Sequence, residues 1–304
     1  MKRSTLIVLA FFLCVSFSSL GCHQSGRPGT HYVTRSNDQT IISYHVSGKG
    51  EVALIFVHGW SCDSRYWQYQ IPYFSQRYKV ITVDLAGHGH SGLDRSNYTM
   101  RAFGEDVQAV VNQTQSQKVI LIGHSMGGSV IAEAANLIPQ KVAGIIGIDT
   151  MQNVSARYSQ EDYLTFVQPL KADFKNNTPD FVRSMFIDGT DPSLVDWVTT
   201  DMSAAPPSVA ISAIDNLFGE YMRGQAAEPF HPLKIPVWAL NTDLWPTDIA
   251  ANRKVIQQFD AVIMEDCGHF LMLEKPEEFN RRLDKIINNI ILKDQNSNRI
   301  VTSE

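Results

Sequence analysis

The chain has 304 residues, 44% of them hydrophobic and 19% charged, with a formal net charge of -5. This composition supports a folded core and excludes a disordered or low-complexity chain. The 26 basic residues are scattered rather than gathered in a stripe, which argues against nucleic acid or another polyanion as a partner.

In chain order, the first segment stands apart from the fold. Lys2 and Arg3 form a short basic region, Leu6 to Val15 an apolar one, and Ser19-Leu20-Gly21-Cys22 a small-residue zone, the layout of an export signal. The apolar run falls short of the ~20 residues needed to cross a bilayer. Residues 1–21 are therefore expected to be a signal peptide. Residues 22–30, with Gly26, Pro28 and Gly29, then form a short tether. Cys22 after Gly21 also resembles a bacterial lipoprotein box. It is a candidate lipid anchor that would hold the exported chain at a membrane, the alternative being a free periplasmic or secreted protein.

Strands are expected near His31–Arg35, Ile41–Val46, Val52–Val57, Val80–Val83, Val119–Ile122, Val142–Ile148, Val237–Leu240 and Ala261–Met264. Helical patterns fall near Tyr66–Ser75, Met100–Gln113, Met126–Leu137, Ile249–Gln257 and Glu277–Ile291. This alternation predicts an α/β fold: a mostly parallel sheet of about eight strands with helices on both faces. The core would comprise 31–149 and 236–293, with 294–304 as a tail. In 150–235 the strand rhythm stops and aromatics accumulate: Tyr158, Tyr163, Phe166, Phe174, Phe181, Phe186, Trp197, Phe218 and Tyr221. Gly189-Thr190-Asp191-Pro192 and Pro206-Pro207 mark breaks between its helices.

Chemistry concentrates where strands end. Gly123-His124-Ser125-Met126-Gly127 follows the apolar run Val119 to Ile122 and opens onto a helical pattern. A strand that reverses into a helix at a glycine-flanked serine makes a sharp turn that lifts the hydroxyl clear of the sheet. The same turn sets the Met126 N–H at a helix N-terminus, where an oxyanion is favoured. His58-Gly59-Trp60 follows another strand, and Asp243 and His269 each lie just beyond one more. The carboxyl ends of parallel strands open on one crevice, so Ser125, Asp243 and His269 can meet. Alone, the serine motif is also compatible with an ordinary Gly-rich turn.

From about Val33 to Leu292 the chain resembles the α/β-hydrolase superfamily, through His58-Gly59-Trp60, the run Asp84 to Ser91, the elbow at Ser125, Gly268-His269-Phe270, and the order Ser, Asp, His. The resemblance implies that Ser125 is the nucleophile, His269 the base, and Asp243 the acid that orients it. Asp149 is the rival acid, because some relatives take theirs after the sixth strand. It further implies that 150–235 is a helical cap over the crevice, that the backbone N–H groups of Trp60 and Met126 form an oxyanion hole, and that Trp60, Met126, Met151 and Trp245 are pocket walls. Packing of the cap against itself is the alternative for its aromatics.

Of four cysteines, only Cys62 and Cys267 lie in the body, both close to the crevice. They are either a disulfide or two separate buried thiols. No dinucleotide fingerprint, phosphate loop or HExxH cluster occurs, so no cofactor or metal is implied. No protein partner is implied either. The expectation is a serine hydrolase acting on a small carboxylic ester, thioester or lactone through an acyl-enzyme. The same triad also admits a carbon-carbon bond hydrolase, an amidase or peptidase, a cofactor-free perhydrolase, or a slow-turnover ligand sensor.

Overall fold

A computed structural model describes residues 29–301, with side chains through residue 296. The signal segment, Cys22 and most of the tether lie outside the described residues. Eight strands form one sheet: β1 Thr30–Arg35, β2 Ile41–Ser47, β3 Val52–Val57, β4 Lys79–Val83, β5 Lys118–His124, β6 Val142–Ile148, β7 Val237–Thr242 and β8 Phe259–Met264. Their order is β1-β2-β4-β3-β5-β6-β7-β8. β1 and β2 run antiparallel to their neighbours, and all other pairings are parallel. The mostly parallel eight-stranded sheet expected from sequence is therefore present.

The central strands are apolar throughout because both their faces are covered, and β5 and β6 are buried along almost their whole length. The β5–β6 register shows the two faces. Gly123, paired with Gly147, faces the helix Gly127–Leu137, whereas Gly144, paired with Ile120, faces Ile290 of the helix Pro276–Val301. From β3 the chain winds first to β4 on one side and then to β5 on the other. The ends of β3 and β5 thus flank a topological switch point, where open α/β sheets place their ligand crevice.

The turn of the β1–β2 hairpin is tied by charge to the helix Met100–Gln113 and the loop after β4. Arg95, almost fully buried, bonds Asp106 at 2.6 Å and Asp38 at 2.7 Å. Asp106 also accepts the Ala86 N–H at 3.1 Å. The Arg95 guanidinium holds the Asp38 carboxyl down at about 2.

Between β6 and β7 the chain forms five α-helices: Gln160–Phe166, Gln168–Ala172, Phe174–Arg183, Pro192–Ser203 and Pro207–Arg223. The last starts at a proline, whose missing N–H costs nothing at a helix start, and ends at Gly224 in the left-handed region (φ 70°). This layer is tied to the sheet's crevice end. Trp60 Nε1 donates to Ala210 O at 2.7 Å, and the Tyr98 N–H donates to Ser212 Oγ at 3.0 Å.

Glu220 on the helix Pro207–Arg223 shares a groove with Glu133 and Glu228 and is pushed up to about 7, chiefly by burial and then by Glu133. The folded chain therefore holds this proton more tightly than the unfolded chain does. Its contribution favours folding at low pH and is lost as pH rises from about 4.5, the ordinary glutamate value, to about 7. Thermal melts should show Glu220→Gln raising the midpoint at pH 8 and leaving it unchanged at pH 4.

Candidate active site

Ser125 sits between β5 and the helix Gly127–Leu137 with φ of 53°, a left-handed conformation that costs a non-glycine residue about 1–2 kcal/mol. Close packing imposes it. A Cβ on Gly123 would lie 2.2 Å from Gly127 O, and one on Gly127 would lie 2.8 Å from His58 O, so only glycine lets strand, helix and the loop after β3 approach this closely. The Ser125 N–H donates to Ile148 O at 2.9 Å, fixing the turn to the end of β6.

His269 follows β8, and its imidazole is nearly enclosed by Trp245, His124 and Phe270. Its N–H donates to Met185 O at 2.9 Å, and its carbonyl accepts from His124 Nε2 at 3.0 Å. His269 Nδ1 lies 2.6 Å from Asp149 Oδ2. A carboxylate on Nδ1 selects the Nδ1–H tautomer and leaves Nε2 as the basic atom. Burial keeps neighbouring His124 neutral, well below the ordinary histidine value.

The acid paired with His269 is therefore Asp149, not the expected Asp243. β6 lies beside β5, whereas β7 lies one strand further from Ser125. Asp149 leaves β6 in the left-handed region (φ 42°) and is fully buried. Its other oxygen, Oδ1, accepts the Thr242 N–H at 3.1 Å, Thr242 Oγ1–H at 3.3 Å and Gln152 Nε2 at 3.4 Å. Asp243, the next residue after β7, is exposed, and its N–H donates to Met264 O at 3.2 Å.

These side chains open on a cavity of about 380 Å³, within the usual range for small-molecule sites. Ser125, Met126, Asp149 and His269 line one end, with Ser129, Thr150 and Gln152 beside them. The segment between β6 and β7 adds Tyr158, Asp162, Phe166, Phe181, Ser184, Met185, Leu217, Phe218 and Tyr221 to the lining. Trp245 stands at the rim, 39% exposed.

Two of the four expected pocket walls are thus present, Met126 and Trp245, and two are not. Trp60 is drawn away from the cavity by its bond to Ala210 and by edge-on packing against Phe174 and Phe181. Met151 packs behind Gly147 of β6. Of the cap aromatics, Tyr163, Phe174, Phe186 and Trp197 do not line the cavity. Sequence reasoning passed over Thr242 and Gln152, whose roles depend on contacts no motif encodes. Cys62 and Cys267 are separate, buried free thiols, not a disulfide, and burial raises both, Cys267 to about 12.

The loop after β3 closes against the serine, since a Cβ on Gly59 would lie 3.2 Å from Ser125 Cβ. Neither the Trp60 nor the Met126 N–H takes part in a turn or loop hydrogen bond among the described residues. His58 shapes this loop: its Nδ1–H donates to Gly59 O at 2.8 Å and its Nε2 accepts the Leu85 N–H at 3.0 Å. No group of side chains suited to a metal ion is found among the described residues.

Comparison with known proteins agrees with this fold. Residues 54–282 match the model of the alpha/beta hydrolase family, and the chain belongs to that family. It is 26% identical over 242 residues to a Haemophilus influenzae protein with an esterase/lipase name, covering 77% of this chain and 83% of the relative. It superimposes on an esterase from Exiguobacterium antarcticum with a TM-score of 0.75 at 20% identity, covering 86% of this chain and 99% of that one. An esterase from Thermogutta terrifontis gives 0.73 at 21% identity, covering 86% and 99%. The protein is a hydrolase of this fold.

Thr242→Val removes a hydroxyl donor from a buried carboxylate. Urea unfolding at pH 7 should show a loss of about 1 kcal/mol.

Proposed function

We propose that this hydrolase cleaves carboxylic esters, including thioesters or lactones, through a covalent acyl-enzyme on Ser125. The observation that carries this reading is the 2.6 Å bond between Asp149 and His269, on the same cavity wall as a serine held at the head of a helix. In this reading His269 Nε2 takes the Ser125 proton as Oγ attacks the acyl carbon, and Asp149 stabilises the imidazolium that results. The N–H groups of Trp60 and Met126 hold the oxyanion, each typically worth about 2.7–4 kcal/mol of transition-state stabilisation. His269 then protonates the departing alcohol, and water enters by the same route to release the acid. The apolar wall of the helical layer receives the acyl chain. The esterase names among the chain's relatives support the same class of reaction.

Release of p-nitrophenol from short acyl esters tests this directly. A burst followed by steady turnover is expected, and Ser125→Ala should abolish both. Asp149→Asn should lower kcat by about 10⁴-fold, the usual loss when the base takes the wrong tautomer. Asp243→Asn, a surface change, should stay within about twofold of the parent. If Asp243→Asn carries the large loss instead, the assignment of the acid fails.

We also propose that the chain is exported and lipid-anchored at Cys22, on the basic, apolar and small-residue sequence of its first 22 residues. Mass spectrometry of the mature protein should find Cys22 as the acylated first residue, and Cys22→Ala should move the protein out of the membrane fraction. An unmodified amino terminus at Met1 would overturn export.

A further inference from the structure

The cavity's charge is lopsided. Its titratable lining comprises Asp149, Asp162, His269, Tyr158 and Tyr221, and no lysine or arginine lines it among the described residues. Asp149 is committed to His269 and Thr242. Asp162 closes the capping box of Ser159 at the cavity wall. Tyr158 and Tyr221 stack with ring centroids 4.5 Å apart and planes 13° apart. Burial raises both phenols, which stay neutral at any pH where an esterase is assayed. The cations on flanking segments are turned elsewhere: Arg157 lies against Gly224, Lys171 bonds Asp215 at 3.2 Å, and Arg183 bonds Asp180 at 3.3 Å.

A carboxylate entering this space gives up part of its water, meets no cation, and comes near two acids, the buried Asp149 and the solvent-facing Asp162. Buried charge without a partner is strongly disfavoured, whereas an apolar group of the same shape gains from the transfer. Building on the serine-ester reading, we infer that the site takes esters with uncharged acyl groups and rejects those whose acyl tail ends in a carboxylate. The selectivity lies in the charge of the cavity rather than its size.

Two esters with acyl chains of equal length isolate the effect: p-nitrophenyl valerate, and the mono-p-nitrophenyl ester of glutaric acid, in which a carboxylate replaces the terminal methyl. With the full chain at pH 8, after correction for spontaneous hydrolysis, valerate should exceed glutarate in kcat/KM by at least about hundredfold. Ser184→Arg places a cation at the wall on an exposed position at the end of the helix Phe174–Arg183, where positive charge is favourable. It should reduce the ratio at least about tenfold through faster glutarate turnover, with valerate as the internal check that the variant is folded. A ratio below about tenfold in the parent, or a high ratio that Ser184→Arg leaves unchanged, overturns the inference while leaving the ester hydrolase intact. Turnover of neither ester above the Ser125→Ala background overturns both readings.

Discussion

A carboxylate removed from water survives in a protein interior only where hydrogen-bond donors surround it, and Asp149 is such a group. Its donors come from β7 through Thr242, from the loop after β8 through His269, and from the start of the helical layer through Gln152. Satisfying one buried anion therefore fixes the separation of β6 and β7, the aim of the imidazole, and the point where the chain leaves the sheet for its cap. Removing one donor weakens the compensation of that charge, which makes this network costly to alter.

The serine side of the crevice rests on close packing rather than charge. β5, the following helix and the loop after β3 approach so nearly that glycine is required at Gly123 and Gly127, and the residue between them is forced into a left-handed backbone. That strain places the Ser125 hydroxyl and the Met126 N–H in one corner. The helical layer is tied to this corner through Trp60, whose indole N–H donates to Ala210 O instead of lining the cavity. Burial of the remaining aromatics then yields an apolar cavity with a polar floor, suited to substrates with an apolar tail and one reactive polar group.

The strands were legible chiefly as short apolar runs bounded by turn residues; β3 and β6 have their expected limits, and the other six differ from expectation by one or two residues at an end. The amphipathic helix Met100–Gln113 matches its predicted limits. The expected helix at Tyr66–Ser75 is instead a short turn of helix at Ser64–Trp67 followed by Gln70–Phe74. Ser125 was legible from its glycine-flanked turn, and His269 from the resemblance of Gly268-His269-Phe270, after the last strand, to the family pattern.

Sequence by itself determined where the strands and the elbow at Ser125 fall, since these follow from local periodicity and from glycines that only one backbone path can use, and its resemblance to the family singled out His269. Tertiary structure alone decided which acid meets His269. Asp149 and Asp243 both follow strands, and the choice between them depends on strand order and on Thr242 donating sideways across the sheet to Asp149. It also decided which aromatics line the cavity and that the two cysteines remain apart. In each case the deciding contact joins residues distant in sequence, and no local pattern carries that information.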